Sequence, residues 1–325
     1  MIKVGVIGVG SMGQNHARIY FHSENAQLVA VSDAYEEQAK KVARHYNAKA
    51  YTNYQEMLQQ EDIEAVSIAV PTSLHQEVAL AALNAGKHIL LEKPIAPNPE
   101  EAQSIIDKAE DKKLKLMIGH IERFNPAIQE LKARLRKGEL GEIYKIDVQR
   151  IGPFPSRITD VGVIVDLSVH DLDIIHYLIE DTPVRIYAET QQHLHPHHED
   201  SVTALLRYSK GALVILNINY LSPTKVRQLR IFGKKGMFLV NYLDQELYFY
   251  ENKGFTSDTW ESVTEGDMKK IIISKKEPLQ VEIEAFLDCV NNKGDSPVSG
   301  TQGVEVLNIA HAILKSAQEK KILEF

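Results

Sequence analysis

At 325 residues, with 44% hydrophobic and 25% charged side chains, the chain has the composition of an ordinary globular protein long enough for two domains. A net charge of −7 and a pI near 6.0 argue against the basic face that phosphate-backbone binders carry, so nucleic acid is not an expected partner. The single cysteine, Cys289, excludes an internal disulfide and reads as core packing, and MIKVGVIGVG lacks the basic region and cleavage site of a signal peptide. No apolar run reaches membrane-spanning length, so no membrane is expected and the expected location is cytoplasmic.

The first 120 residues alternate short apolar runs with helical patterns. Val4 to Ile7, Leu28 to Val31, Val66 to Val70, His88 to Leu91 and Leu116 to Ile118 read as strands, and Tyr35 to Tyr46, Leu74 to Ala85 and Pro99 to Lys112 as helices between them. That rhythm specifies a parallel sheet with right-handed crossovers. A helix from Asn125 to Lys137 ends at Gly138. After it the pattern changes to long strand-like runs: EIYKIDVQRIG, VRIYAETQQHLH, SVTALLRYSKGALVILNINY, RQLRIFGKKGMFLVNY and QELYFYENK, with tight turns at Ser209 to Gly211 and Lys234 to Gly236. One helical stretch, Asp166 to Ile179, interrupts them and two C-terminal helices close the chain. The expected fold class is α/β: a doubly wound Rossmann domain over residues 1–120, then an α+β domain over 121–325 built on a large, mostly antiparallel open sheet.

In GVGSMG the glycines Gly8, Gly10 and Gly13 form G-x-G-x-x-G directly after the first strand and at a helix start, where backbone approaches a pyrophosphate and the helix N-terminus receives its charge. Ser11 and Met12 belong to the same loop. Asp33, twenty residues beyond Gly13 at the end of the second strand, is placed to accept from a ribose 2′-hydroxyl and to repel a 2′-phosphate, which favours NAD over NADP as the cofactor. Ligands of open parallel sheets lie at the carboxyl ends of strands. Two further segments stand there: AVPTSLH with Pro71, Thr72 and His75, and LLEKP with Glu92, Lys93 and Pro94, both expected beside the nicotinamide end of the cofactor. Lys93 follows a buried run, and a partly desolvated ammonium there can share a proton with a substrate hydroxyl.

Further on, VDLSVHDLDIIHYL sets Asp166 and His170 four residues apart, on one helix face, where a carboxylate fixes the tautomer of an imidazole. Asp171 and Asp173 read as dipole-stabilising or solvated residues. In HLHPHHED, His193, His195 and His197 alternate, but Pro196 breaks the strand and no second ligand cluster completes a site, so no metal is expected. The runs ALVILNINYL and KKGMFLVNYL are apolar with too few helices to cover both faces of a sheet, so a homodimer or homotetramer closed through that sheet is expected.

GVGSMG, VPT with His75, EKP and the D-x-x-x-H helix stand in the order and approximate spacing of the Gfo/Idh/MocA oxidoreductases, and the chain resembles that family over essentially its whole length. The resemblance implies that Lys93, Asp166 and His170 face the sugar hydroxyl that loses its hydride to NAD. Where many members have a glycine-rich stretch before the aspartate, this chain has DVGVIVDLSVHD. The segments HIERFNPAI and GPFPSRITDVGV are similar, more narrowly, to the subgroup that oxidises the 3-hydroxyl of UDP-N-acetylglucosamine or its uronate. A UDP-sugar brings a diphosphate to neutralise, and Arg123, Arg157 and Arg150 lie in segments expected to border the site, with Asn125 beside them on the substrate side. Competing readings are an inositol 2-dehydrogenase, a UDP-N-acetylglucosaminuronate 3-dehydrogenase and an NAD(H)-responsive binding protein without catalysis.

Overall fold

Six short runs of apolar residues pair in parallel: β1 (Ile2–Ile7), β2 (Ala26–Ser32), β3 (Lys49–Tyr51), β4 (Ala65–Ile68), β5 (His88–Glu92) and β6 (Leu116–Gly119), in the order β3-β2-β1-β4-β5-β6. The order reverses at β1, so the crevice between β1 and β4 opens at the carboxyl ends of the strands. Val4, Val6, Val66, Ile68, Ile89 and Leu91 are completely buried, which is why these strands show no polar alternation. The helices α1 (Ser11–His22), α2 (Glu36–His45), α3 (Tyr54–Gln60), α4 (His75–Asn84) and α5 (Pro99–Lys112) connect them. Asn53 caps α3 and Asn98 caps α5, each accepting a backbone N–H two or three residues on. No helix among the described residues is long and apolar enough to cross a membrane.

The computed structural model describes residues 1–155, 161–252, 265–292 and 294–325. These form two compact units, one of Met1–Ile121 with Glu277–Asn308 and one of Glu122–Lys276 with Ile309–Phe325. The chain expected to divide once, after residue 120, thus sends a later segment back to the first unit: α8 (Pro278–Asn292) packs on α1, and the Ile118 N–H donates to the Val298 carbonyl at 3.1 Å. Gly300 and Gly303, at the start of α9 (Gly300–Glu319), lie where a Cβ would press on Ile106 and Ile118.

The second unit holds α6 (Pro126–Arg136), α7 (Val169–Ile179) and a nine-stranded sheet. Its strands are β7 (Ile143–Pro153), β8 (Pro183–Gln191), β9 (Ser201–Tyr208), β10 (Leu213–Asn219), β11 (Leu221–Gly233), β12 (Gly236–Asn241), β13 (Glu246–Glu251), β14 (Met268–Ile271) and β15 (Leu323–Glu324). They lie in the order β14-β13-β12-β11-β7-β10-β9-β8-β15, every pair antiparallel except β7 with β10. Along β9 and β10 burial alternates strictly: Val202, Ala204, Leu206, Val214, Leu216 and Ile218 are inside, while Leu205 is 43% exposed and Asn217 is exposed too. Apolar composition hides a two-faced strand here.

Candidate active site

The dinucleotide loop is built by three glycines with three different constraints. Gly8 has φ +82° and a Cβ there would lie 2.7 Å from the Ala69 carbonyl; one at Gly13 would lie 1.8 Å from the Gly8 carbonyl. Both positions exclude any side chain. Around Gly10, the N-cap of α1, a Cβ would meet nothing within 4 Å, so this backbone faces open space. The loop therefore offers a helix N-terminus, with no acidic residue in its first turn, to an incoming anion.

Asp33 joins this loop to the start of α2. Its Oδ2 accepts from the Val9 N–H and its Oδ1 from the Tyr35 N–H, each at 2.9 Å, and a carboxylate oxygen retains a second lone pair for a ribose hydroxyl. Gln38, which no motif singles out, donates from Nε2 to the Val9 carbonyl at 2.7 Å and braces the same loop from α2. Gly8, Gly10, Asp33, Gln38, Tyr54 and Pro71 are among the residues lining a cleft of about 1060 Å³, of the size that holds a large cofactor. Tyr54 donates to Glu77 at 2.6 Å, and burial with this hydrogen bond pushes the phenol up to about 12. Tyr54 and Glu77 were not legible as site residues, because only the topology brings the start of α3 beside α4. The open Gly10 backbone and the remaining Asp33 lone pairs fit NAD.

The other predicted cofactor residues divide. Pro71 borders the cleft; Thr72 starts a 3-10 turn, Thr72–Leu74, that leads into α4. His75 does not border it: the ring is buried, with Nδ1 2.8 Å from the Pro94 carbonyl and Nε2 3.1 Å from the Val70 carbonyl. Burial pulls its pKa below the ordinary histidine value, against these hydrogen bonds. Glu92 also turns inward. Its Oε1 lies 3.0 Å from His16 Nε2, and its Oε2 accepts from the Lys93 N–H at 3.3 Å. Burial raises the Glu92 carboxyl, but the His16 hydrogen bond and charge, with Lys93, bring it below the usual carboxylate value. Lys93 itself is half-buried at the end of β5, and its bond to Pro94 is cis.

In the second unit Asp166 lies within a π-helical turn, Ile164–Ser168, that runs directly into α7. Such turns are rare and concentrate at functional sites. Glu199 caps it, accepting from the Ile164 N–H at 3.1 Å, and the Tyr220 hydroxyl donates to Asp166 Oδ2 at 2.5 Å. Tyr220 is buried, with its ring edge-on to Phe154. It is a functional candidate that sequence reasoning missed, since nothing in NINYL marks it. His170 is half-buried in the first turn of α7.

Three residues expected on the substrate side are taken by the fold instead. Arg123, 3% exposed, pairs with Asp173 through Nε at 2.8 Å and a terminal nitrogen at 2.6 Å. Arg150, 1% exposed, binds Asp171 with Nε and a terminal nitrogen, reaches Glu122 at 3.2 Å, and lies over the Tyr242 ring. Burial opposes the Arg150 charge, but Asp171 and Glu122 outweigh it and raise its pKa. Asn125 caps α6 and donates to the Tyr242 carbonyl. Asp171 and Asp173, expected to favour the helix dipole or turn to solvent, are therefore buried counter-ions, and neither guanidinium offers a free fork to a diphosphate. Arg157 lies outside the described residues.

The histidine tract is organised by Asp200, whose Oδ2 accepts the N–H groups of His193, Leu194 and His195. His195 Nδ1 in turn accepts from the His197 and His198 N–H groups. Among the described residues no cluster of histidine, cysteine or carboxylates has the arrangement of a metal site.

The pattern of the oxidoreductase family with an NAD-binding Rossmann fold matches residues 2–120, and that of the same family's C-terminal alpha/beta domain matches residues 132–325. The chain belongs to the Gfo/Idh/MocA oxidoreductase family. It is an NAD-dependent oxidoreductase, and residues 2–120 are its NAD-binding Rossmann domain. Within the family it is 33% identical over 309 residues to UDP-N-acetylglucosamine 3-dehydrogenase of Acidithiobacillus ferrooxidans, covering 95% of each chain. The solved structure of that enzyme superposes with a TM-score of 0.87 over 98% of each chain at 31% identity. Inositol 2-dehydrogenase of Rhizobium meliloti is 25% identical over 98% of each chain.

Proposed function

We propose that the protein oxidises a secondary hydroxyl of a sugar, the C3 hydroxyl of UDP-N-acetylglucosamine, to the ketone. The observation that carries the reading is Lys93 at the carboxyl end of β5 in the NAD-binding unit; in the second unit, taken by itself, the Tyr220 hydroxyl holds Asp166 four residues before His170. Bound NAD supplies the acceptor for the hydride that leaves the carbinol carbon. The chain must then provide an acceptor for the hydroxyl proton and a donor to the oxygen. His170 takes the proton, with Asp166 as the carboxylate that favours its charged form, and the Lys93 ammonium donates to the reacting oxygen. The greater identity to the nucleotide-sugar enzyme supports C3 of UDP-N-acetylglucosamine as the position attacked.

One observation favours the second reading, an inositol 2-dehydrogenase. With Arg123 and Arg150 committed to buried aspartates, neither is available for a diphosphate. The deciding experiment measures NADH formation with UDP-N-acetylglucosamine, its uronate, myo-inositol and free N-acetylglucosamine. A kcat/KM for the UDP-sugar at least tenfold above the others is expected, and inositol turnover of equal efficiency overturns the nucleotide-sugar reading. We also propose that the outward side of the large sheet, carrying Tyr187 and Leu205, is covered by a second copy of the chain; a monomer by light scattering at micromolar concentration refutes it.

A further inference from the structure

Behind Lys93 runs a buried chain of polar groups that the reaction does not use. The Tyr20 hydroxyl is 2.8 Å from Ser67 Oγ, Ser67 Oγ is 3.0 Å from His16 Nδ1, and His16 Nε2 is 3.0 Å from Glu92 Oε1. His16, Tyr20 and Ser67 are completely buried and Glu92 is 8% exposed. A single direction satisfies every hydroxyl and ring nitrogen: Tyr20 donates to Ser67, Ser67 to Nδ1, and Nε2–H to Glu92. The carboxylate is the sink of the chain. Gly119 on the neighbouring strand leaves it room, since a Cβ there would come within 3.3 Å of the Glu92 carboxyl carbon.

The residues on either side of Lys93 are thus each held by a histidine: Glu92 by His16, from the helix that opens the dinucleotide site, and the Pro94 carbonyl by His75, from α4. We propose that Glu92 is a positioning residue for Lys93: fixed by His16, its carboxylate accepts from the Lys93 backbone N–H and sets a negative charge beside the lysine. The charged and titratable groups around Glu92 are His16, with Tyr20 behind it, His75 and Lys93; Glu282 of α8 acts on Tyr20. The inference rests on the assignment of Lys93 to the reacting hydroxyl.

The test is Glu92→Gln, which keeps an acceptor for His16 but removes the charge. Acylation of Lys93 by a small amine-reactive acyl reagent at fixed pH, followed by peptide mass spectrometry, should speed up roughly tenfold once the neighbouring anion is gone. Turnover should fall about tenfold, and in a Lys93→Met background the same change should alter kcat by less than about twofold, as for residues acting as one unit. His16→Leu should reproduce the loss and His16→Gln, which keeps a donor for Glu92, should recover most of it; this pair reads the same brace should Glu92→Gln fail to fold. Unchanged Lys93 acylation in folded Glu92→Gln, or equal kcat losses in both backgrounds, overturns the proposal. If acylation responds while Lys93→Met turns over normally, the catalytic assignment of Lys93 falls and the brace stands, so the two failures are separable.

Discussion

The two units bury carboxylates in opposite ways. In the second, Asp171 and Asp173 lie 0% exposed against Arg150 and Arg123, whose planar forks bind them bidentately. Both guanidinium forks are engaged by these buried carboxylates. In the first unit no guanidinium among the described residues pairs with Glu92; it accepts from a histidine and keeps its charge beside Lys93. Complete neutralisation by a permanent cation marks a charge that belongs to the fold, whereas a carboxylate held by an imidazole next to a lysine still exerts its field on its neighbour.

That contrast is most exposed to Arg150→Met. It leaves the buried Asp171 without its guanidinium and Glu122 with Arg227 at 3.7 Å, so urea unfolding should show a loss of about 3–5 kcal/mol. A loss below about 1 kcal/mol would mean that the second unit does not depend on its ion pairs. Lys93→Met should instead spare stability and NAD affinity while lowering kcat by roughly a hundredfold or more, the scale of a lost proton-transfer group. Near-normal turnover with unchanged melting would leave the chemistry to Asp166 and His170. Tyr220→Phe should cost about tenfold in kcat, since a hydrogen bond to a charged acceptor is worth roughly 1.5–3 kcal/mol; steady-state kinetics showing only a raised KM would place Tyr220 in binding instead. The smallest expected effect is on acid stability. Glu92 is depressed below its ordinary value of 4.5, so its contribution is present above that value and is lost as pH falls through the lower folded value. The melting-temperature gap between wild type and Glu92→Gln should therefore narrow from about pH 6 to about pH 4, and a widening gap would reverse the sign assigned to Glu92.

Much of this was legible in the sequence because some residues announce their geometry. Gly8 and Gly13 can only be glycine, and EKP after an apolar run puts Lys93 at a strand end. Strand β3 escaped because three residues, KAY, carry no periodicity, and β15 because it has only two. Asp171 and Asp173 read as solvated because their counter-ions, Arg150 and Arg123, arrive from other elements far along the chain. The same distance hid Tyr220. The stretch Asp166 to Ile179 reads as one helix in sequence, but its first turn is wound wider, since no local preference distinguishes a π-turn from the α-helix that follows.

Among the described residues only one pair of strands in the large sheet runs parallel, β7 with β10, where Lys145 stands opposite Leu213. A parallel pair needs a crossover, and this one contains the π-turn, α7, β8 and β9. The centre of the sheet therefore cannot zip from a hairpin; it must wait for a long loop to close, which slows folding. Asp166, His170 and their helix lie inside that loop. A nascent chain accordingly places Asp166 and His170, the residues proposed for the proton transfer, in the same late event that completes its largest sheet.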